Sequence, residues 1–389
     1  MTTKTAASAK TKTSQSAEPK ANQVFGQAVL VLQGGGALGA YQLGTYQAMH
    51  EAGIEPDWVV GTSIGAINGA IIAGNPPEHR LPRLHEFWDR MELNKGNPFG
   101  PLLGMFGATF NNFNTMSKGI PGFFAPNPDA IYGQHAKIGI EKASYYTTRP
   151  LRETLTNLID FDYLQSKKTR LTVGAVNANT GEMRYFDSHK DVMTVDHIMA
   201  SGALPPAFPA IRIDGEPYWD GGIYSNTPVE VVLEDNPRRN STIFTIQLWN
   251  PLGPEAESLW QITGRQKDIQ FSSRANSHIE RQQQIHQLRH IIRELGRQLP
   301  EKLRSQPAVK ELTAWGCGTT MHLVRMLAPR LEGEDHTKDI DFTAHGIHAR
   351  WQAGREDTQR AIDAAPWNEP VDFKDALVIH DFEHKGVCA

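Results

Sequence analysis

Apolar residues come in short blocks up to about Asn250 and in sparse stripes through polar sequence beyond it. The run Ala28 to Leu32 predicts a buried strand. A helical pattern through Tyr41, Gly44, Ala48 and Met49 follows and stops at Gly53. Trp58 to Val60 predicts a second strand, and the segment AINGAIIAG a helix ended by Gly74 and Pro76. Further helices are predicted over Pro82 to Leu93, Thr148 to Leu158, Thr194 to Ser201 and Pro228 to Leu233. Strands are predicted over Arg170 to Val176, Glu182 to Asp187 and Ser241 to Trp249, with a hairpin over Ile211 to Tyr218 turning at Asp214-Gly215. Strands that alternate with helices predict an α/β fold, a three-layer sandwich with a central, mostly parallel sheet. Such sheets bind ligands at the carboxyl ends of their strands.

Beyond Asn250 the pattern changes. Trp260 to Leu299 is rich in Gln, Arg and His, with Ile285, Leu288, Ile292, Leu295 and Leu299 recurring at three and four. That spacing predicts one long helix whose stripe packs within the chain, with a second copy of the chain as the other partner it could serve. Thr319 to Leu327 predicts a strand, and Ile340 to Ile362 a last helix with Phe342, Ile347, Trp351 and Ile362 on one face. The expected division is a disordered tail over 1–24, a main domain over 25–250 and a mainly helical accessory region over 251–389, with oligomerisation through the 266–299 helix as a further expectation.

Composition narrows the function classes. A formal net charge of -4 over 389 residues gives no reason to expect nucleic acid as a partner. Two cysteines, Cys317 and Cys388, make neither a disulfide framework nor a metal site. The Ala-, Ser-, Thr- and Lys-rich start lacks the apolar centre of a secretory signal. No apolar run approaches the length of a membrane span. The expectation is cytoplasmic residence, with peripheral contact at the inner membrane face.

Two glycine motifs carry the candidate chemistry. Gly61-Thr62-Ser63-Ile64-Gly65 fits G-x-S-x-G between a strand and a helix, where the turn pushes the serine hydroxyl out above the sheet. Ordinary turns also hold serine between glycines, and the flanking elements are what favour a nucleophilic Ser63. Gly34-Gly35-Gly36, closed by Gly39, also fits the dinucleotide fingerprint G-x-G-x-x-G. That fingerprint wants an acidic residue ending the second strand, and here Glu55 and Asp57 precede the strand. Backbone amides at Gly34, Gly35 and Gly36 that hold a developing oxyanion are the competing reading.

The order Gly-Gly-Gly-x-x-Gly, Gly-x-Ser-x-Gly and then Asp220-Gly221-Gly222 resembles the patatin-like phospholipase family. The block ASGALPPAFPAIRIDGEPYWDGGIYSNTP, Ala200 to Pro228, is similar to that family's segment around its aspartate. The resemblance covers roughly Ala28 to Asn250 and implies a Ser63–Asp220 dyad without metal or cofactor, acting on phospholipid or another lipid ester. It also implies that 25–250 is the catalytic domain, and 251–389 looks like the extra region of some bacterial members. One position departs: Leu38 stands where the family usually carries Arg or Lys.

From the residues alone, the reading is a serine acyl hydrolase acting on an ester with an apolar portion. A histidine triad remains open through His197, His278, His286, His290 or His322. So do a neutral-ester esterase or thioesterase of the same mechanism, a silent lipid-binding protein and a nicotinamide-dependent oxidoreductase. Two stretches rich in Gly, Pro and Phe, Asn97 to Asn114 with Phe106 and Phe110 and Gly119 to Pro128 with Phe123 and Phe124, read equally as a core satellite or as a lid or wall for an acyl chain.

Overall fold

The computed structural model describes residues 24–93, 117–133, 135–272, 275–331, 334–372 and 375–383. Met1 to Gln23 and the stretch holding Phe106 and Phe110 lie outside them.

Eleven strands are described: β1 Gln27–Leu32, β2 Trp58–Gly61, β3 Ala125–Pro126, β4 Tyr146–Thr147, β5 Arg170–Asn177, β6 Met183–Asp187, β7 Ile211–Ile213, β8 Glu216–Asp220, β9 Ser241–Gln247, β10 Met321–Leu327 and β11 Leu377–Glu383. Nine of them form one sheet in the order β11-β10-β9-β1-β2-β5-β8-β7, with β6 also on β5. From β11 to β5 neighbouring strands are parallel, and β6, β7 and β8 run antiparallel.

The sheet is covered on both faces at its centre, where β1, β2, β5 and β9 are buried along almost their whole length. In β1, Ala28, Leu30 and Leu32 enter one core cluster and Val29 and Val31 the other. The first cluster lies under α1 (Ala40–Glu51), α2 (Ile64–Ala73), α3 (Pro77–Met91), α4 (Arg149–Leu158) and α5 (Val195–Ser201). α3 starts at Pro77 rather than Pro82, because proline at the first helical position opens a helix readily.

The C-terminal stretch is woven into this body. β10 pairs with β9 in parallel, and β11, a strand the pattern did not predict, extends the sheet again. The polar stripe runs as α6 (Leu259–Ser272) and α7 (Ala275–Gln298) on either side of residues 273 and 274. α8 (Ala344–Ala364) lies on α1 so closely that a methyl group on Gly354 would come 2.0 Å from the carbonyl oxygen of Tyr41. The Tyr41 hydroxyl donates to Asp357 across that contact at 2.8 Å.

In α7 the face turned inward is not the predicted leucine stripe. Ile279, Gln282, His286 and His290 are buried, whereas Leu288 and Leu295 are exposed. Polar residues can take the inner face because each finds a partner there. His286 bonds the carbonyl oxygen of Leu233 and His290 that of Thr319, both at 2.9 Å.

Candidate active site

Strand register brings Ser63 and Asp220 together. β5 pairs with β2 up to Gly61↔Val173, and the same edge of β5 then pairs with β8 from Ala175↔Asp220 onward. β2 is parallel to β5 and β8 antiparallel, so the carboxyl ends of β2 and β8 meet head on at Gly174. Ser63 follows one end and Asp220 is the last residue of the other.

The turn after β2 is tight. Ser63 has φ 56° and ψ −126°, a conformation that costs a non-glycine residue roughly 1–3 kcal/mol. Its neighbours leave it no alternative. A methyl group on Gly61 would lie 2.3 Å from the Gly65 carbonyl oxygen, and one on Gly65 would lie 2.2 Å from that of Leu32. The Ser63 amide donates to both the carbonyl and the hydroxyl of Ser201, at 3.1 Å each.

Asp220 is 1% exposed and accepts a hydrogen bond from the Gly222 amide at 2.7 Å, and the Ser63 side chain lies beside it, close enough to lower its pKa. Burial pushes its pKa up from 3.8 to about 7, with the Gly222 amide and the Ser63 side chain opposing the rise. A carboxyl group poised near neutrality is matched to accept and return a proton at pH 7.

The glycine-rich loop is gripped from several sides. The Gly34 carbonyl accepts from the Trp249 indole at 2.8 Å and from the Asn226 side chain at 3.1 Å. The Gly34 amide donates to the Asn226 carbonyl at 3.2 Å, so that amide is occupied. Among the described residues, the Gly35 and Gly36 amides have no such backbone partner. Gly39 packs on Ile64 at the start of α1, and Gly221 packs on Gly174 beside the pair of strand ends.

Gly34, Gly35, Gly36, Ser63, Asp220 and Gly222 all face one cavity of about 620 Å³. Its walls are apolar. Phe123, Phe124, Tyr146 and Phe208 pack on one another along one side, and Phe123 and Phe124 belong to the core as well, so Gly119 to Pro128 is packed as a core satellite while it lines the cavity. Trp249, Phe271, Ile340 and Phe342 supply more of the lining, and apart from Trp249 these come from the C-terminal stretch. No local motif marks Phe271, Ile340 or Phe342, and only a long-range fold brings them here, whereas Ser201 and Asn226 lie in the Ala200 to Pro228 block without a role read for them. Asp220 and Asp339 are the charged side chains in the described lining, and no Lys, Arg or His is among them.

The histidines stand elsewhere. His197 caps α5 through Thr194, His278 lies 3.9 Å from Glu230, and His322 contacts His380. With His286 and His290 bound to carbonyls, none faces Asp220 in the cavity. Glu55 and Asp57 are likewise committed, Glu55 to Arg80 at 2.5 Å and Asp57 to the Ala28 amide at 2.9 Å. Among the described residues no cluster of His, Cys, Asp and Glu could hold a metal ion. Leu38 is 4% exposed and sits in the core.

The chain is similar to several known proteins. Lysophospholipase nte1 of Aspergillus terreus is 54% identical over 54 residues, 14% of this chain and 4% of that protein. Human patatin-like phospholipase domain-containing protein 6 is 37% identical over 87 residues, 21% of this chain and 6% of that one. Lysophospholipase NTE1 of Candida glabrata is 27% identical over 227 residues, 57% of this chain. The chain spans a tenth or less of the length of these relatives. The solved structure of VipD from Legionella pneumophila overlays on 87% of this chain and 67% of its own, at 16% identity and a TM-score of 0.38. A model described as patatin phospholipase matches residues 269–374. The model of patatin-like phospholipases matches residues 30–233, just over half of the sequence, and the chain belongs to that family.

Proposed function

We propose that the protein is a serine acyl hydrolase acting on lipid esters. The observation that carries this reading is Ser63 beside the buried Asp220 in the wall of an apolar cavity of about 620 Å³. In the proposed reaction the Ser63 oxygen attacks the ester carbonyl while its proton passes to Asp220. The carbonyl oxygen becomes an oxyanion beside the Gly35 and Gly36 amides, with Gly34 holding the loop's shape rather than donating. The alcohol leaves with the proton from Asp220. Water then attacks the acyl-serine, gives its proton to Asp220, and the fatty acid departs as the proton returns to Ser63.

The described lining holds no cation that could meet a phosphate. The part of the substrate that enters the cavity is therefore its uncharged acyl chain, and a charged head group stays outside. That favours lipid esters broadly, neutral ones included, over a site built around a phosphate. Apolar Ile131, Tyr132 and Tyr224 are exposed near residues lining the cavity, which suits contact with a lipid surface. No described helix is long and apolar enough to cross a membrane.

The test is hydrolysis of p-nitrophenyl esters of increasing chain length by wild type and by Ser63→Ala. Activity should rise with chain length, and Ser63→Ala should lose at least ~10³-fold while staying folded. Full activity in the folded variant would refute the assignment.

A further inference from the structure

The C-terminal turn Asp335 to Phe342 packs on the glycine-rich loop, most tightly at Gly36. Gly36 has φ +56°, and a methyl group on it would lie 2.3 Å from the carbonyl oxygen of Asp339. The loop and the turn are therefore in backbone contact, and the position of one fixes the position of the other.

The turn is itself held by two consecutive residues of α6. Lys267 bonds both carboxylate oxygens of Asp339, at 2.8 and 3.0 Å, and the carbonyl oxygen of His336 at 3.0 Å. Asp268 bonds Lys338 at 2.7 Å and, through its other oxygen, Arg330 at 2.7 Å. A Lys-Asp pair on the helix thus faces a Lys-Asp pair on the turn with the signs crossed. The inner half is buried: Lys338 is 8% exposed and Asp268 4%. The Lys338 ammonium also lies 5.5 Å from the ring centre of Trp249, whose indole holds the Gly34 carbonyl. Buried ion pairs of this kind contribute little net stability but specify one geometry well.

We infer that Lys338 and Asp268 are positioning residues for the proposed oxyanion loop. The crossed ion pairs press the Asp339 carbonyl against Gly36 and so set the direction of the Gly35 and Gly36 amides. The charge that governs this loop comes from the C-terminal stretch, far from the loop in sequence. The inference rests on the acyl-hydrolase reading and deepens it.

The experiment compares wild type, Lys338→Met, Lys338→Arg and Lys267→Met. The readouts are kcat and KM on one long-chain p-nitrophenyl ester and the rate of Ser63 modification by a small fluorophosphonate. Lys338→Met leaves Asp268 paired with Arg330, so no carboxylate is orphaned. Its kcat and its modification rate should fall together by about 10–100-fold with KM changed less than about threefold. Lys338→Arg should recover most of both. Unchanged rates in a folded Lys338→Met would overturn the inference, as would equal losses in the Met and Arg variants. Should Lys338→Met not fold, Lys267→Met decides: a lower kcat at constant KM supports the clamp, and wild-type kcat overturns it. Absence of modification in wild type would instead overturn the acyl-hydrolase reading itself.

Discussion

Two turns meet at the cavity, and they are held by different means. The turn after β2, Gly61 to Gly65, is fixed by backbone packing: carbonyl groups stand where any side chain on Gly61 or Gly65 would go. The turn Asp335 to Phe342 is fixed by side-chain charge, through Lys267, Asp268, Lys338 and Asp339. The first is packed mostly by backbone within a few residues or on the adjacent strand, with its Ser63 amide also bonded to Ser201 on α5. The second depends on a helix some seventy residues away and on a strand, β10, that brings the chain back to the sheet. Steric restraint is rigid and tolerates no substitution. Electrostatic restraint is adjustable, and it can shift the reactive geometry without unfolding the protein.

The comparison can be broken most severely at the first turn. Gly65→Ala forces a methyl group to 2.2 Å from the Leu32 carbonyl oxygen between β1 and α2. Loss of about 3 kcal/mol or more is expected, read as a fall in the denaturation midpoint. Asp339→Ala in the second turn removes a partly exposed pair and should cost less than about 1 kcal/mol. Its signature is a lower kcat with an almost unchanged denaturation midpoint. Equal destabilisation by the two substitutions would erase the distinction.

A smaller effect sharpens it. Phe271 lies on α6 one turn beyond the clamp, lines the cavity and packs on Trp249 with ring centres 4.9 Å apart. Phe271→Ala should lower kcat/KM for long-chain esters about tenfold more than for short ones, since the lost contact is with the chain. An equal loss on both would mean that Phe271 supports the loop rather than the substrate.

The same contrast explains what could be read in the sequence. Ser63, Asp220 and the glycines announce themselves because tight turns and close approaches demand particular residue types at fixed spacing. The strand–helix alternation of Ala28 to Trp249 was legible for a similar reason, as strands buried on both faces read as short apolar runs. In the C-terminal stretch the strand Met321–Leu327 and the helices were legible, but the buried face and the last strand were not. The periodicity of Leu288 and Leu295 pointed to the exposed side of α7, because His286 and His290 bury themselves by bonding carbonyl groups. β11 holds His380, Asp381 and Glu383 and lacks the apolar run of a central strand. Phe271 and Phe342 look like any helix or loop apolar residue until the fold carries them to the cavity. Gly34 was expected to hold an oxyanion, yet its amide is taken by Asn226, a pairing across 192 residues that no local pattern reveals.

Asp220 also links the site to stability. Its pKa in the folded chain, about 7, exceeds the ordinary 3.8, so the folded state binds its proton more tightly than the unfolded one. Its contribution to stability is then fullest at acid pH and is lost as pH rises from about 4 through about 7. Asp220→Asn should raise the melting temperature at pH 8 and by less at pH 5.

The most direct test of the central claim is the rate of Ser63 modification by a fluorophosphonate as a function of pH, with mass mapping of the adduct. For wild type, the rate should climb through a single ionisation near pH 7 as Asp220 loses its proton and can accept that of Ser63. For Asp220→Asn it should be slow and flat. A wild-type rate independent of pH between 5 and 9, or an adduct on a residue other than Ser63, would contradict the Ser63–Asp220 account.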